Sequence, residues 1–223
     1  MNYISVAVDG PAGAGKSSVS KAVAKELGYT YIDTGAMYRC VALFAIESGI
    51  DIKNDRARLI ESLEGIKINM NYTDGVQHVF LNGRDVSARI RGEDVSVGAS
   101  DVAVIGEVRE ILVKMQQEMA ESANVIMDGR DICSYVLPDA QVKIFLTASI
   151  EARAKRRYDE LIEKGVECDF EKIKQDIAYR DKNDSERAVS PLRKADDAVL
   201  LDTTELSFTE VVEKIKELIK NVL

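Results

Sequence analysis

No stretch of this chain approaches the ~20 consecutive apolar residues that a membrane span requires. The longest apolar stretches are strand-sized, such as residues 142–146, and even that one carries Lys143. The first residues, Met1-Asn2-Tyr3-Ile4-Ser5-Val6, have no charged segment leading into a long apolar core, so they read as the approach to a strand and not as a signal peptide. A single histidine, His78, cannot build a His-rich metal centre. The three cysteines, Cys40, Cys133 and Cys168, are widely spaced with no Cys-x-x-Cys pair. That pattern argues against a disulfide framework or a zinc site and for reduced thiols in a cytoplasmic protein. Nor is there an excess of positive charge. With 30 basic and 38 acidic residues the net charge is −8, which disfavours a general nucleic-acid binder, because phosphate backbones need a cationic surface.

The chain does have enough apolar material to fold. Its 223 residues, 46% of them hydrophobic, suit one moderate domain or a core with small insertions. Its arginines are unevenly spread: Arg153, Arg156, Arg157, Arg180, Arg187 and Arg193 share one C-terminal stretch. A local cationic cluster in an acidic chain suits a compact anionic ligand.

Apolar periodicity suggests alternating strands and helices. Strands are expected at residues 4–8, 29–32, 124–127, 142–146 and 198–201. Helices are expected at 16–27, from a Thr34 cap to about 47, at 94–105, 107–121, 150–164 and 171–187, and finally from residue 208. In that last helix Phe208, Val211, Val212, Ile215, Leu218, Ile219 and Val222 form one stripe, and Ser207 with Glu210 matches a capping box. Residues 66–81 differ, with two alternating runs about a Thr73-Asp74-Gly75 turn, which reads as a hairpin inserted into the pattern. Strands separated by helices imply an α/β fold with a parallel sheet and helices on both faces.

The strongest motif is Gly10-Pro11-Ala12-Gly13-Ala14-Gly15-Lys16-Ser17. It satisfies G-x-x-x-x-G-K-[ST] between an expected strand and an expected helix, the context a phosphate-binding P-loop requires. Gly10, Gly13 and Gly15 let the backbone wrap closely and turn N–H groups onto phosphate oxygens. The helix start adds its positive dipole end. Lys16 is placed to reach the β- and γ-phosphates, and Ser17 to offer a hydroxyl to Mg2+. No Asn-Lys-x-Asp guanine-reading segment is present, so an ATP-dependent small-molecule kinase is expected, not a GTPase.

Arg153 and Arg157 are four apart on one expected helix, with Arg156 beside them. Their planar forks suit phosphate, and phosphoryl transfer depends mainly on positioning and charge neutralisation. A solvated helix paired through Glu151, Asp159 and Glu160 would show the same spacing. Arg180, Asp184 and Arg187 line one face of the next helix, where a surface ion-pair ladder would look identical. Asp128-Gly129-Arg130-Asp131 leaves a strand, as does Asp33-Thr34-Gly35-Ala36-Met37-Tyr38-Arg39. In doubly wound sheets ligands gather at the carboxyl ends of strands, so both segments are expected near the P-loop crevice.

Together these segments resemble the bacterial cytidylate kinases over nearly the whole chain. The resemblance is carried by residues 9–17, 31–39 and 128–131, by Arg180-Asp181 through Asp184-Ser185-Glu186-Arg187 before Pro191, and by Ala195-Asp196-Asp197-Ala198 before Leu201-Asp202. It implies a nucleotide kinase with a core of residues 1–33, 96–150 and 188–223. A monophosphate-binding region with a β insertion would occupy 34–95, and a lid with arginine helices 151–187. It implies that residues Gly10 through Ser18 hold ATP with Mg2+. Either Ser17 or Ser18 would supply the metal's hydroxyl, and Asp9 or Asp128 would organise its water shell. Arg39 and Arg130 would hold the acceptor phosphate, and Arg180 and Asp184 the ribose, with Thr34 and Tyr38 close by. Ser100, Arg109, Asp131 and Arg187 would read the base. Lys16, Arg130, Arg153 and Arg157 would serve the transfer itself.

Cytosine fits the base-reading set of Ser100, Arg109, Asp131 and Arg187. It offers an amino donor beside the N3 and O2 acceptors, matching a carboxylate and arginines, whereas uracil reverses the polarity. The expected reaction is transfer of the ATP γ-phosphoryl group to CMP or dCMP. UMP, AMP or another small acceptor on the same fold is the alternative, and a nucleotide-holding module without transfer is a third reading. The expected protein is a cytoplasmic monomer that binds small nucleotides but neither nucleic acid nor membrane.

Overall fold

The computed structural model describes residues 3–73 and 76–222. The first strand, β1 (Ser5–Asp9), leads into helix α1 (Lys16–Leu27), then β2 (Thr30–Asp33) and α2 (Thr34–Glu47). A short helix α3 (Arg56–Ser62) precedes β3 (Ile68–Thr73), β4 (Val76–Leu81) and β5 (Arg84–Asp85). Helices α4 (Glu93–Val102) and α5 (Gly106–Ala120) follow, then β6 (Val125–Gly129), β7 (Val142–Thr147), α6 (Ile150–Glu163), α7 (Phe170–Glu186), β8 (Val199–Asp202) and α8 (Phe208–Lys220). A π-helical turn at Ile132–Val136 separates β6 from β7.

The strands form a five-stranded sheet in the order β2-β6-β1-β7-β8 and a separate three-stranded sheet, β3-β4-β5. β1 pairs in parallel with β6 and β7, and β7 with β8. Val6, Ala7 and Val8 are wholly buried, as expected for a central parallel strand covered on both faces.

The chain divides into two compact units. One takes the residues up to Tyr31 and those from Ala120 onward, and the other is Ile32–Met119. In the first, Val19 and Val23 of α1 and Val211, Ile215 and Ile219 of α8 pack with Val6, Val8 and Ile144 of the sheet. The capping box at Ser207 and Glu210 starts α8 as the sequence suggests. A satellite cluster of Ala154, Ile173 and Ile177 joins α6 to α7. In the second unit, Met37, Val41 and Leu43 of α2 share a core with Leu59, Leu81, Val95 and Leu112. The antiparallel β3–β4 pair lies where alternation places a hairpin, although residues 74 and 75 of the expected turn lie outside the described residues.

Two local expectations are corrected. The cap of α2 is Asp33 and not Thr34: Asp33 accepts from the Ala36 N–H, and Thr34 is the first helical residue. Helix α3 was not expected at all. Its seven residues bury only Leu59, too little for apolar periodicity to register.

Candidate active site

The loop between β1 and α1 has the geometry its glycines permit. Gly10, Gly13 and Gly15 all take positive φ, at 150°, 74° and 88°. The N-cap of α1 is Gly15, which has no side chain to cap it, so the helix's first N–H groups lack the usual hydroxyl or carboxylate and suit an anion. Lys16 is buried and donates from Nζ to the carbonyls of Gly10 (2.7 Å) and Pro11 (2.8 Å).

Burial, reinforced by the nearby Arg130 charge, pulls the Lys16 ammonium down from 10.5 to about 7, against the opposing pull of Asp128, Asp9 and Asp184. The folded value lies below the unfolded one, so folding disfavours the charged form. The resulting cost is absent above pH 10.5 and grows as pH falls toward 7. A polyphosphate held in this loop would restore the charge and so draw in a proton. At pH 8, where nucleotide phosphates are fully ionised, ATP binding is expected to take up roughly 0.9 proton. Calorimetry in buffers of differing ionisation enthalpy measures this, and a binding heat independent of buffer would refute it.

Two carboxylates flank the loop and do different work. Asp9 is wholly buried. Its oxygens accept the Ile132 and Cys133 N–H groups, both at 2.8 Å, which holds the π-helical turn to the end of β1. Burial raises its carboxyl above the usual range. Asp128, on β6, instead faces hydroxyl groups: Ser17 Oγ donates to Oδ2 (2.8 Å) and the Tyr31 phenol to Oδ1 (2.7 Å). Ser17, not Ser18, is thus the hydroxyl placed on this carboxylate. A hydroxyl beside a carboxylate is an all-oxygen donor set suited to Mg2+, which keeps several waters and takes much of its coordination from substrate phosphates. No group of three or more His, Cys, Asp or Glu positioned to hold a metal occurs among the described residues.

The arginines segregate. Arg130 donates from Nε to Asp184 (2.6 Å) and from Nη1 to the Gly129 carbonyl. Asp131 is buried beside Arg187, whose Nη2 lies 3.4 Å from its Oδ1 and whose Nε donates to the Ser190 carbonyl. The Leu192 N–H donates to the Asp184 carbonyl, folding the segment after α7 back toward these side chains. Arg180 is exposed on α7.

Arg153 is 4% exposed. It donates to the carbonyls of Ala148 and Ala12 and forks onto Asp181, tying the P-loop to α6 and α7. Arg157, four residues on, is exposed and pairs with Glu160. The shared face therefore splits into one interior clamp and one surface ion pair.

The remaining expected residues lie in the second unit. Asp33, besides capping α2, accepts from Arg39 Nη2 at 2.9 Å. Thr34 is buried beside it in sequence. Arg109 of α5 is 2% exposed, donates to the Tyr38 hydroxyl at 3.2 Å and lies 5.9 Å from the Tyr38 ring centroid. Ser100 is exposed on α4.

Sequence reasoning assigned no role to Tyr31, Asp33 or Asp181. Asp33 had a legible signal, since an Asp ending a strand before a helix is a preferred cap. The other two reach partners far away in the chain.

Among the described residues no helix is long and apolar enough to cross a membrane. A family model described as cytidylate kinase matches residues 6–221. Curated proteins named cytidylate kinase from Bacillus cereus and Bacillus thuringiensis are each 54% identical over 219 residues, covering 98% of this chain and 97% of theirs. A solved structure of an uncharacterized protein from Eubacterium ventriosum has the same fold at 13% identity and a TM-score of 0.52, covering 98% of both chains.

Proposed function

From the premise that this chain belongs to the cytidylate kinase family, we propose a site-by-site account of how it moves the ATP γ-phosphoryl group onto CMP or dCMP. A 5′-phosphate oxygen of the acceptor attacks the γ-phosphorus, the bond to the β,γ-bridging oxygen breaks, and ADP leaves with CDP or dCDP. The observation that carries this reading is the uncapped start of α1, with Lys16 in the loop and the Ser17–Asp128 pair beside it.

Residues Gly10 through Ser18 wrap the donor phosphates, and Lys16 exchanges its two loop carbonyls for phosphate oxygens. Ser17 and Asp128 would hold Mg2+, which supplies charge neutralisation on the transferring group. Arg130 and Arg39 grip the acceptor phosphate, each oriented by a carboxylate, Asp184 and Asp33 respectively. Arg180 and Asp184 take the ribose, with Thr34 and Tyr38 alongside. Asp131 accepts from the cytosine amine, while Arg187, Arg109 and Ser100 complete base recognition. Arg153 holds the P-loop carbonyl and Arg157 comes over ATP as residues 151–187 close as a lid, which keeps water from competing with the acceptor. Residues 34–95 form the acceptor-binding region. The enzyme works as a cytoplasmic monomer, and its net charge of −8 fits small nucleotide substrates better than nucleic acid.

A coupled assay across CMP, dCMP, UMP and AMP tests the acceptor. UMP and AMP are expected to turn over at least ~100-fold less efficiently, because each leaves buried polar groups unpaired. Faster turnover of either would sink the assignment. Arg187→Ala tests the base reader. Losing a charged hydrogen bond to cytosine is expected to raise the KM for CMP by roughly 10- to 100-fold and leave that for ATP within about twofold. Equal losses for both nucleotides would refute the role.

A further inference from the structure

We propose that Tyr31 is a positioning residue that fixes Asp128 for Mg2+. This rests on the reading of Ser17 and Asp128 as the metal-holding pair.

Asp9 and Asp128 both lie near the P-loop, but the oxygens of Asp9 are committed to the Ile132 and Cys133 amides. Asp128 is therefore the carboxylate left to face the metal. It is 4% exposed, so little water orients it. Ser17 donates its proton to Oδ2, so the lone pairs of that hydroxyl are what it would offer a cation. A carboxylate held at one oxygen only could still turn about that bond. The Tyr31 bond to Oδ1 is the second point of attachment that keeps it from rotating.

The phenol can do this because its ring is rigidly packed. Tyr31 is 3% exposed, belongs to the core that includes Val8, Ile126 and Ile144, and sits on β2 next to β6, the strand that ends at Asp128. A ring with two torsions, both fixed by packing, places its hydroxyl with little entropy left to lose. Partners that orient metal ligands typically change metal affinity or activity by about 10- to 100-fold when removed.

Tyr31→Phe removes one oxygen and keeps the packing. Mn2+ binding to the enzyme–ADP complex, followed by electron paramagnetic resonance, is expected to weaken by at least ~10-fold. ADP affinity in the presence of a chelator and the KM for CMP stay within about twofold. A merely structural role would move all three together. Unchanged Mn2+ affinity overturns the proposal, and so does a parallel loss of metal-free ADP binding.

Asp128→Asn separates this proposal from the reading beneath it. If Asp128→Asn weakens Mn2+ and Tyr31→Phe does not, only the role of Tyr31 falls. If neither does, the metal assignment falls with it. A second measurement does not depend on the variant folding. Fluorine placed on the tyrosine rings of the unsubstituted chain, with the Tyr31 resonance assigned, is expected to report on Asp128 directly. That resonance shifts when Mg2+ is added to the ADP complex, and a resonance indifferent to Mg2+ overturns the proposal.

Discussion

Lys16→Ala is expected to lower kcat/KM by roughly 100- to 1,000-fold, the range for removing a group that stabilises charge developing in a transition state. The ammonium is not needed to hold the fold together, because it is a buried charge facing two carbonyls of its own loop. Its depressed titration shows that folding works against its charge. The variant should therefore stay folded, with a melting temperature close to that of the parent. Lys16→Met, which keeps most of the volume, should match the alanine variant in activity. Steady-state kinetics with a melting curve on the same preparations checks both halves. Parental turnover in either variant would end the P-loop mechanism for this chain.

Gly10→Ala is expected to do comparable damage by a different route. A Cβ at residue 10 would lie 1.9 Å from the Leu146 carbonyl oxygen and 3.0 Å from its carbon, on a backbone with φ of +150°. Leu146 is wholly buried in β7, and β7 is hydrogen-bonded to β1. Neither strand can move aside without loosening the middle of the sheet. A destabilisation of about 4 kcal/mol is expected, which for a chain of this length lowers the melting temperature by roughly 10 °C. ATP affinity should fall by more than ~100-fold, because the N–H groups that face phosphate belong to the displaced loop. Gly15→Ala is the contrast. Nothing lies within 4 Å of its would-be Cβ, so the cost is confined to a left-handed backbone, about 1–2 kcal/mol. If Gly10→Ala melts and binds like the parent, the steric argument fails. If Gly15→Ala proves the more damaging, backbone conformation governs and crowding does not.

The sequence was most informative where structure is local. The β1–loop–α1 unit and the capping box of α8 are each contained within a short window, and each was readable from residue types and spacing. Placement at the carboxyl ends of strands points to the segment with Asp128, Arg130 and Asp131, and the structure sets Asp128 against Ser17 of the loop. What could not be read depends on contacts between distant residues. Asp9 and Asp128 look alike on paper as carboxylates at strand ends. One is consumed by the amides of residues 132 and 133, and the other meets hydroxyls from positions 17 and 31. Arg153 and Arg157 share a helical spacing that suggests equal roles. Yet Arg153 is drawn inside by Ala12 and Asp181, while Arg157 remains at the surface with Glu160. Helix α3 escaped because a segment that buries one leucine leaves almost no apolar rhythm. The sequence alone places the cap of α2 one residue late, because Asp33 and Thr34 are both good caps and adjacent. Only the geometry shows that Asp33 bonds Ala36.

The strand order β2-β6-β1-β7-β8 also bears on how the chain is made. Within this sheet the middle strand is made before the others, and both of its neighbours lie more than a hundred residues downstream. Its apolar residues must wait unpaired while Ile32–Met119, a continuous stretch with a core of its own, emerges complete. During translation the grip on phosphate therefore forms late, although the loop that provides it is synthesised well before the strands that flank β1. A nascent chain carries the motif long before it has the means to bind nucleotide.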